Sequence, residues 1–199
     1  MATSAPIEMD FYGGFKKEFL GEGFATDIGV LQYYYPTSGI VTTSQQANPN
    51  TTELYVAQNF AYGSLTGFAK FSYAVSTLFG NVNSSGSYYP DLTLNYDTGV
   101  WGLALNGHVG YQYVAGNQPA SGTTWNNVSN AVNGVSNSTL YSYTDWKLGV
   151  TKDFGGGLSA AIAYVGTNAA TYKGAYAYVS PQGKNTGRST GLISLTKTF

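Results

Sequence analysis

The chain has 199 residues, a length that suits a single domain spanning residues 1–199. Only 10% of its residues are charged and 16% are aromatic, whereas soluble domains carry about 25% charged residues. The net charge of -1 argues against a nucleic-acid partner, and the absence of cysteine excludes disulfides and thiolate metal sites. No run approaches the roughly 20 apolar residues of a transmembrane helix. This composition suits strands that are apolar on one face only.

Apolar and polar residues alternate with a period of two along most of the chain, which predicts β-strands rather than helices. In 101–113, Leu105 and Val109 share one face, whereas Asn106 and His108 lie on the other. The first face suits lipid and the second suits a polar lumen. About nine strands of roughly ten residues are predicted in this way, near 7–16, 24–35, 51–62, 68–75, 91–96, 101–113, 145–151, 158–165 and 187–199.

The predicted connections alternate between short turns marked by glycine, near 20–23, 63–65, 97–99 and 154–157, and longer loops, near 36–50, 77–87, 114–140 and 168–186. Outer-membrane barrels join their strands by short periplasmic turns and long external loops. A soluble β-sandwich is the alternative, but it would carry more charge on its solvent-facing sides. We therefore expect an all-β, antiparallel up-and-down transmembrane β-barrel in the outer membrane of a Gram-negative bacterium.

The last predicted strand ends on an aromatic residue, Phe199, with Ile193 and Leu195 on the same face. A terminal Phe that closes an amphipathic strand resembles the signal read by the bacterial barrel-assembly machinery, which is therefore an expected partner. Lys197 falls on this otherwise apolar face, where its long side chain could reach the membrane interface.

Several segments resemble the TorF family of proteobacterial outer-membrane proteins, which are regarded as porins. The main one is Asp27-Ile-Gly-Val-Leu-Gln-Tyr-Tyr-Tyr-Pro36. The others follow in the family's order and cover most of the chain: Phe11-Tyr-Gly-Gly14, Thr52-Glu-Leu-Tyr55, Ser87-Tyr-Tyr89, Gly107-His-Val-Gly-Tyr111, Thr144-Asp-Trp-Lys-Leu-Gly149 and Leu195-Thr-Lys-Thr-Phe199. The resemblance implies an outer-membrane barrel with pore activity.

The resemblance also implies strands that this sequence lacks. Family members begin with further strands, including a stretch similar to "YRFRG", before the segment that matches Phe11-Tyr-Gly-Gly14, and nothing like it occurs here. About three more strands would give a family barrel of about twelve, an even number with both termini periplasmic, as in bacterial single-chain barrels. An open edge is costly in lipid, which leaves three alternatives: the chain closes on itself, it pairs with another copy of itself or with a fragment, or it is a shortened form of a longer chain.

The candidate catalytic residues are few. His108 is the only histidine, there is no cysteine, and Asp91 lies on the preceding predicted strand without a serine clearly placed for a triad. We therefore expect no enzyme activity, no metal site and no cofactor. His108 is interpreted as a lumen-lining or structural residue.

The predicted polar faces carry residues of both charge signs. These residues either line a channel and set its selectivity, or pair with one another and fill a closed interior. Because the two signs are balanced, strong ion selectivity is not predicted. The predicted lumen-lining set is Glu8, Asp10, Lys16, Asp27, Lys70, Asp91, Asn106, His108, Asp145, Lys147 and Arg188.

Tyrosine-rich stretches lie near the loop ends of the predicted strands, at 33–35, 88–89, 141–143 and 172–178. They suit an aromatic girdle in contact with membrane lipid, and a site that stacks a ligand is the alternative. The leading functional hypothesis is a porin or channel for passive passage of small solutes or ions. The alternative is a non-conducting barrel whose external loops, 114–140 and 168–186, bind a surface ligand or partner protein.

Overall fold

The computed structural model describes residues 7–36, 47–169, 171–180 and 182–199. In chain order the elements are β1 (Met9–Glu18), β2 (Phe24–Tyr34), β3 (Thr51–Tyr62), β4 (Leu65–Ala74), β5 (Tyr88–Asp97), β6 (Leu103–Gln112), β7 (Thr124–Trp125), β8 (Val128–Ser129), α1 (Asn137–Tyr141), β9 (Tyr143–Gly155), β10 (Leu158–Thr167), β11 (Thr171–Tyr172), β12 (Ala175–Tyr176) and β13 (Thr190–Lys197).

Nine of these strands form one antiparallel sheet in the order β1-β2-β3-β4-β5-β6-β9-β10-β13. The short strands form two hairpins, β7 with β8 and β11 with β12, within the long loops. The expected all-β fold with nine antiparallel strands in up-and-down order is confirmed. Because neighbouring strands are antiparallel and nine is an odd number, β1 and β13 run in the same direction.

β1 and β13 are the two edges of the sheet among the described residues, and each pairs on one side only. Every residue of both strands is exposed. An unpaired edge presents backbone N–H and C=O groups that are ready to pair with another strand. The described sheet is therefore open.

The alternation of residue types gives the sheet an apolar face and a polar face. On the apolar face, Ile28 pairs with Val56, and Val56 pairs with Phe71. The same face reaches the far edge, where Ile162 pairs with Ile193. All five side chains are exposed, Ile162 by 60%. On the polar face, by contrast, the side chains of β4 and β6 are half-buried or buried, except for the exposed Thr66.

Short turns join the strands at one end of the sheet, at 19–23, 63–64, 98–102 and 156–157. The strand predicted over 101–113 begins instead at Leu103. Trp101 and Gly102 have φ angles of 53° and 65° within the turn, and extended strands do not contain left-handed residues. Of the long loop predicted near 36–50, residues 37–46 lie outside the described residues.

The opposite end carries a loop cap, formed by the described residues of 75–87, 113–142 and 168–186. Within it, α1 begins after Ser136, whose side chain caps the first turn by accepting a hydrogen bond from the Ser138 N–H. None of the helices in the described residues is long and apolar enough to cross a membrane. Two buried apolar clusters lie at this end, Ala74 with Leu78 and Val114, and Trp125 with Val132 and Leu140.

Asn137 and Trp125 tie the three loops of the cap together. The fully buried Asn137 side chain donates to the Val82 and Ala115 carbonyls, both at 2.8 Å, and accepts from the Gln118 amide at 2.7 Å. The Trp125 indole N–H donates to the Tyr172 carbonyl at 2.6 Å. The cap is therefore a packed unit with its own core, held by hydrogen bonds between sequence-distant loops.

Candidate functional site

A polar network centred on His108 lies on the polar face where β5, β6 and β9 are neighbours. The Nδ1 atom of His108 is 3.0 Å from an Asp91 carboxylate oxygen, and its Nε2 atom is 2.7 Å from an Asp145 carboxylate oxygen. The period-two alternation places all three side chains on the same face. The register then brings them together, because β6 lies between β5 and β9.

Two hydroxyl groups complete this network. The Tyr89 hydroxyl donates to the Asp145 carboxylate at 2.9 and 3.0 Å and lies 3.3 Å from His108 Nε2. The Thr93 hydroxyl donates to Asp91 at 3.1 Å and lies 3.1 Å from His108 Nδ1. One carboxylate and one hydroxyl group lie at each ring nitrogen, so the His108 ring is held from both sides. Hydrogen bonds to carboxylates are stronger than those between neutral groups.

Gly110 makes room for the network. It pairs with Asp91 on one side and Asp145 on the other, and it is buried. A Cβ atom at this position would overlap the Tyr89 hydroxyl. The missing side chain therefore lets Tyr89 of β5 reach across β6 to Asp145 of β9.

A recess of 430 Å³ adjoins the network at the loop-cap end of the polar face. The cap contributes to its wall, because the Phe79 ring packs edge-on against Tyr33 at 4.8 Å between centroids. The recess is lined by aromatic, acidic and other polar side chains together with one lysine: Tyr33, Glu53, Lys70, Ser72, Phe79, Tyr89, Asp91, Gln112, Tyr143, Asp145 and Thr167.

Two tyrosines of the cap, Tyr141 and Tyr178, lie next to the recess. The Tyr178 ring packs edge-on against Tyr143 at 5.4 Å, and its hydroxyl donates to the Tyr141 carbonyl at 2.6 Å. Burial raises the pKa of Tyr178 and of Tyr141 above the ordinary tyrosine value. Both rings therefore stay neutral well into the alkaline range.

Glu53 is the most buried charged residue of the recess, with 8% of its surface exposed. Its carboxylate makes no hydrogen bond or salt bridge with any described residue. Its charge interacts electrostatically with Lys70, whose ammonium group lies over the Tyr55 ring at 5.0 Å from the centroid. Lys70 is therefore shared between Glu53 and an aromatic ring.

Asn106 belongs to a second, neutral cluster nearer the short turns. Its amide nitrogen donates to Asn95 at 2.8 Å, and its oxygen accepts from Thr151 at 2.7 Å. This side chain thus bridges its two neighbouring strands, and it adds hydrogen-bonding groups but no charge to the polar face.

The other predicted lumen-lining residues are spread along the polar side of the sheet. Asp27 accepts from the Tyr55 hydroxyl at 3.2 Å, and Lys16 pairs with Asp27 in the register. Glu8 precedes β1 and accepts a hydrogen bond from the Tyr35 hydroxyl. The remaining three, Asp10, Lys147 and Arg188, are exposed, and Arg188 lies just before β13.

From the predicted set, the structure thus gathers Asp91, His108 and Asp145 in the network and Lys70 in the adjoining recess. It leaves the other charged residues of the set outside both: Glu8, Asp10, Lys16, Asp27, Lys147 and Arg188. The predicted set did not include Tyr89, Thr93 or Glu53. Tyr89 and Thr93 share the polar face of Asp91 by simple alternation, which the sequence could have indicated. Glu53 lies in a strand where both faces carry apolar or tyrosine residues, so its role depends on the fold.

The arrangement is a polar recess in which three acidic side chains and one lysine are among the described lining residues. The described residues contain no group of three or more His, Asp or Glu side chains that could hold a metal ion. Ser72 lines the recess, but it makes no hydrogen bond to His108. The network can donate and accept hydrogen bonds and attract positive charge.

The fold and the site define an all-β protein with a nine-stranded up-and-down sheet, one exposed apolar face and one polar face with an ionisable network. Residues 1–199, the whole chain, match the model of the Gcw_chp family, described as a bacterial protein of unknown function, and the protein belongs to that family. No curated protein matches the chain.

Proposed function

We propose that this protein is an outer-membrane β-barrel protein through which small polar solutes or ions pass without catalysis or a cofactor. The observation that carries the proposal is the pairing of a continuous, exposed apolar face with a half-buried polar face that holds ionisable groups. Barrels in lipid turn apolar residues outwards and polar residues inwards. The apolar face would contact lipid, and the His108 network would face the passage.

The extent of the apolar face supports a lipid environment. It continues through every strand of the sheet, with Phe15 on β1, Leu92 on β5 and Leu195 on β13 as examples, all exposed. Soluble proteins rarely expose contiguous apolar patches larger than a few hundred Å². A face that crosses nine strands is easier to explain by lipid contact than by water.

Three lysine–phenylalanine pairs at the short-turn end support a membrane interface there. The ammonium groups of Lys17, Lys152 and Lys197 lie 5.6, 5.5 and 5.5 Å from the centroids of the rings two residues later, Phe19, Phe154 and Phe199. Lysine can place its stem along apolar surface while its charge stays in water. On this proposal Phe199 also belongs to the signal for the barrel-assembly machinery.

A closed barrel that is antiparallel all round would need strands in addition to the nine described. Because β1 and β13 run in the same direction, an odd number of inserted strands would restore antiparallel pairing all round. The TorF resemblance supports about three such strands, giving about twelve. Association with another copy around the membrane normal would instead bring parallel edges together, which bacterial single-chain barrels do not use.

Planar-bilayer recording tests the pore directly. The purified protein is expected to give discrete conductance steps, and fractionation of cells is expected to place it in the outer membrane. A folded protein in the membrane that carries no current would contradict the pore. Such a result would favour the second candidate, a non-conducting barrel whose cap binds a ligand or partner protein. The packed cap with exposed Val128 and Tyr176 supports that candidate.

A further inference from the structure

The recess beside the His108 network contains the carboxylate of Glu53, which makes no hydrogen bond or ion pair with any residue that the structure describes. We propose that this recess is a binding site for a small organic ammonium ion, with Glu53 as its counter-ion. This site would give the proposed function a class of solute. It rests on the proposed function in one respect only, namely that the bound ammonium ion then passes through the protein.

The charges of the recess favour a cation. Glu53, Asp91 and Asp145 line it, and Lys70 is the one lysine or arginine among the described lining residues. Asp91 and Asp145 already hold the His108 ring. Only Glu53 has no hydrogen bond or ion pair with a described residue, although it is nine-tenths buried. Lys70 gives Glu53 an electrostatic interaction but no ion pair, so a second positive charge in the recess would lower the cost of burying this carboxylate.

The walls of the recess favour an organic cation over a metal ion. Four aromatic rings line it, from Tyr33, Phe79, Tyr89 and Tyr143. Aromatic faces attract ammonium groups, and rings around a quaternary ammonium are a recurrent recognition device. The described residues offer no cluster of acidic and histidine side chains that could hold a metal ion. A volume of 430 Å³ accommodates a small organic molecule.

Choline and its uncharged isostere 3,3-dimethylbutan-1-ol provide a matched pair of probes, since they differ in one central atom and one charge. Binding is measured by titration calorimetry on the protein folded in an alkyl maltoside, a detergent without an ammonium group. We expect choline to bind and the isostere to bind at least about tenfold more weakly, because only the charged probe is attracted by the Glu53 carboxylate and by the faces of the aromatic rings.

The variant Glu53→Gln keeps the shape of the side chain and removes its charge. It is expected to weaken choline binding at least about tenfold, which corresponds to the lower end of the coupling energies measured for close charge pairs. Glu22→Gln is the matched control, because Glu22 is exposed in the 19–23 turn at the other end of the sheet. Phe79→Leu keeps an apolar side chain but removes a ring, and it is expected to weaken binding by about threefold.

Equal binding of choline and the isostere, or unchanged binding in folded Glu53→Gln protein, would overturn the proposal. The measurement needs a folded chain but no conductance, so its failure is separable from failure of the pore. A protein that binds choline but carries no current keeps the ammonium site and loses the pore. One that conducts but does not bind choline keeps the pore and loses the ammonium site.

Discussion

The nine-stranded sheet and the loop cap place their apolar residues in opposite ways. In the sheet, Leu148 and Ile162 are 68% and 60% exposed. In the cap, Leu140 and Val114 are fully buried. One chain therefore contains an apolar surface that faces outwards and a small core of the kind found in water-soluble proteins. The difference indicates that the two regions are built for different surroundings.

The largest expected effect comes from Leu140→Ala in the cap. Removing a fully buried leucine side chain typically costs about 2–5 kcal/mol, so the cap should loosen and 113–142 should exchange amide hydrogens faster. The matched control is Leu148→Ala on the exposed apolar face, which should change stability by less than about 1 kcal/mol. Hydrogen exchange followed by mass spectrometry compares the two variants. Equal increases in exchange would mean that the apolar residues of the sheet and of the cap contribute equally to stability.

A charge on the apolar face tests its surroundings. If that face contacts lipid, Ile162→Lys should cost about 2–4 kcal/mol at the bilayer midplane and reduce insertion into liposomes. Val100→Lys is the control, because Val100 is also exposed but lies in the 98–102 turn. Insertion is scored by flotation with the vesicles. Normal insertion of the Ile162→Lys protein would argue that the face meets water.

Gly110→Ala tests the tight crossing over β6. The added methyl group would overlap the Tyr89 hydroxyl, and overpacking of this kind typically costs about 1–3 kcal/mol. Tyr89 should lose its bond to Asp145 while the cap stays folded. Gly107→Ala is the control, because a Cβ there meets no atom within 4 Å. The measurement is thermal unfolding. Similar losses of stability in both variants would show that the cost comes from replacing a glycine in a strand and not from the overlap with Tyr89.

The smallest effect is expected from alkaline pH on the cap. Burial raises the pKa of Tyr178, so its neutral form stabilises the folded cap. That contribution is complete below the unfolded tyrosine pKa near 10 and is lost as the pH rises beyond it. Tyr178→Phe should reduce the loss of cap stability above pH about 10, whereas Tyr62→Phe, at an exposed position, should leave it unchanged. Hydrogen exchange of 171–180 as a function of pH provides the comparison.

Much of the sheet could be predicted from short stretches of sequence. The alternation in 145–151 and 158–165 was sufficient to place two strands and their faces, because neighbouring side chains in a strand point to opposite sides. The Gly-rich turns were recognisable for the same local reason. Trp101 was the exception, since its aromatic side chain fits the alternation while its backbone belongs to the turn.

The site could be predicted only in part. The sequence places His108 and Asp91 on consecutive predicted strands joined by one short turn, so their proximity follows from a local pattern. Asp145 is separated from His108 by the whole of 113–142, and no local pattern says which strand follows β6 in the sheet. The burial of Glu53 could not be predicted either, because it depends on how the neighbouring strands and the cap pack around the recess.

The sequence by itself determined the strands, their two faces and the alternation of short and long connections, because these follow from the period-two geometry of an extended chain. The tertiary structure decided that the long loops pack into a cap with its own core. It also decided that Asp91, His108, Tyr89 and Asp145 meet across three strands. Such contacts depend on register and loop packing between residues far apart in the chain, for which a local pattern carries no information.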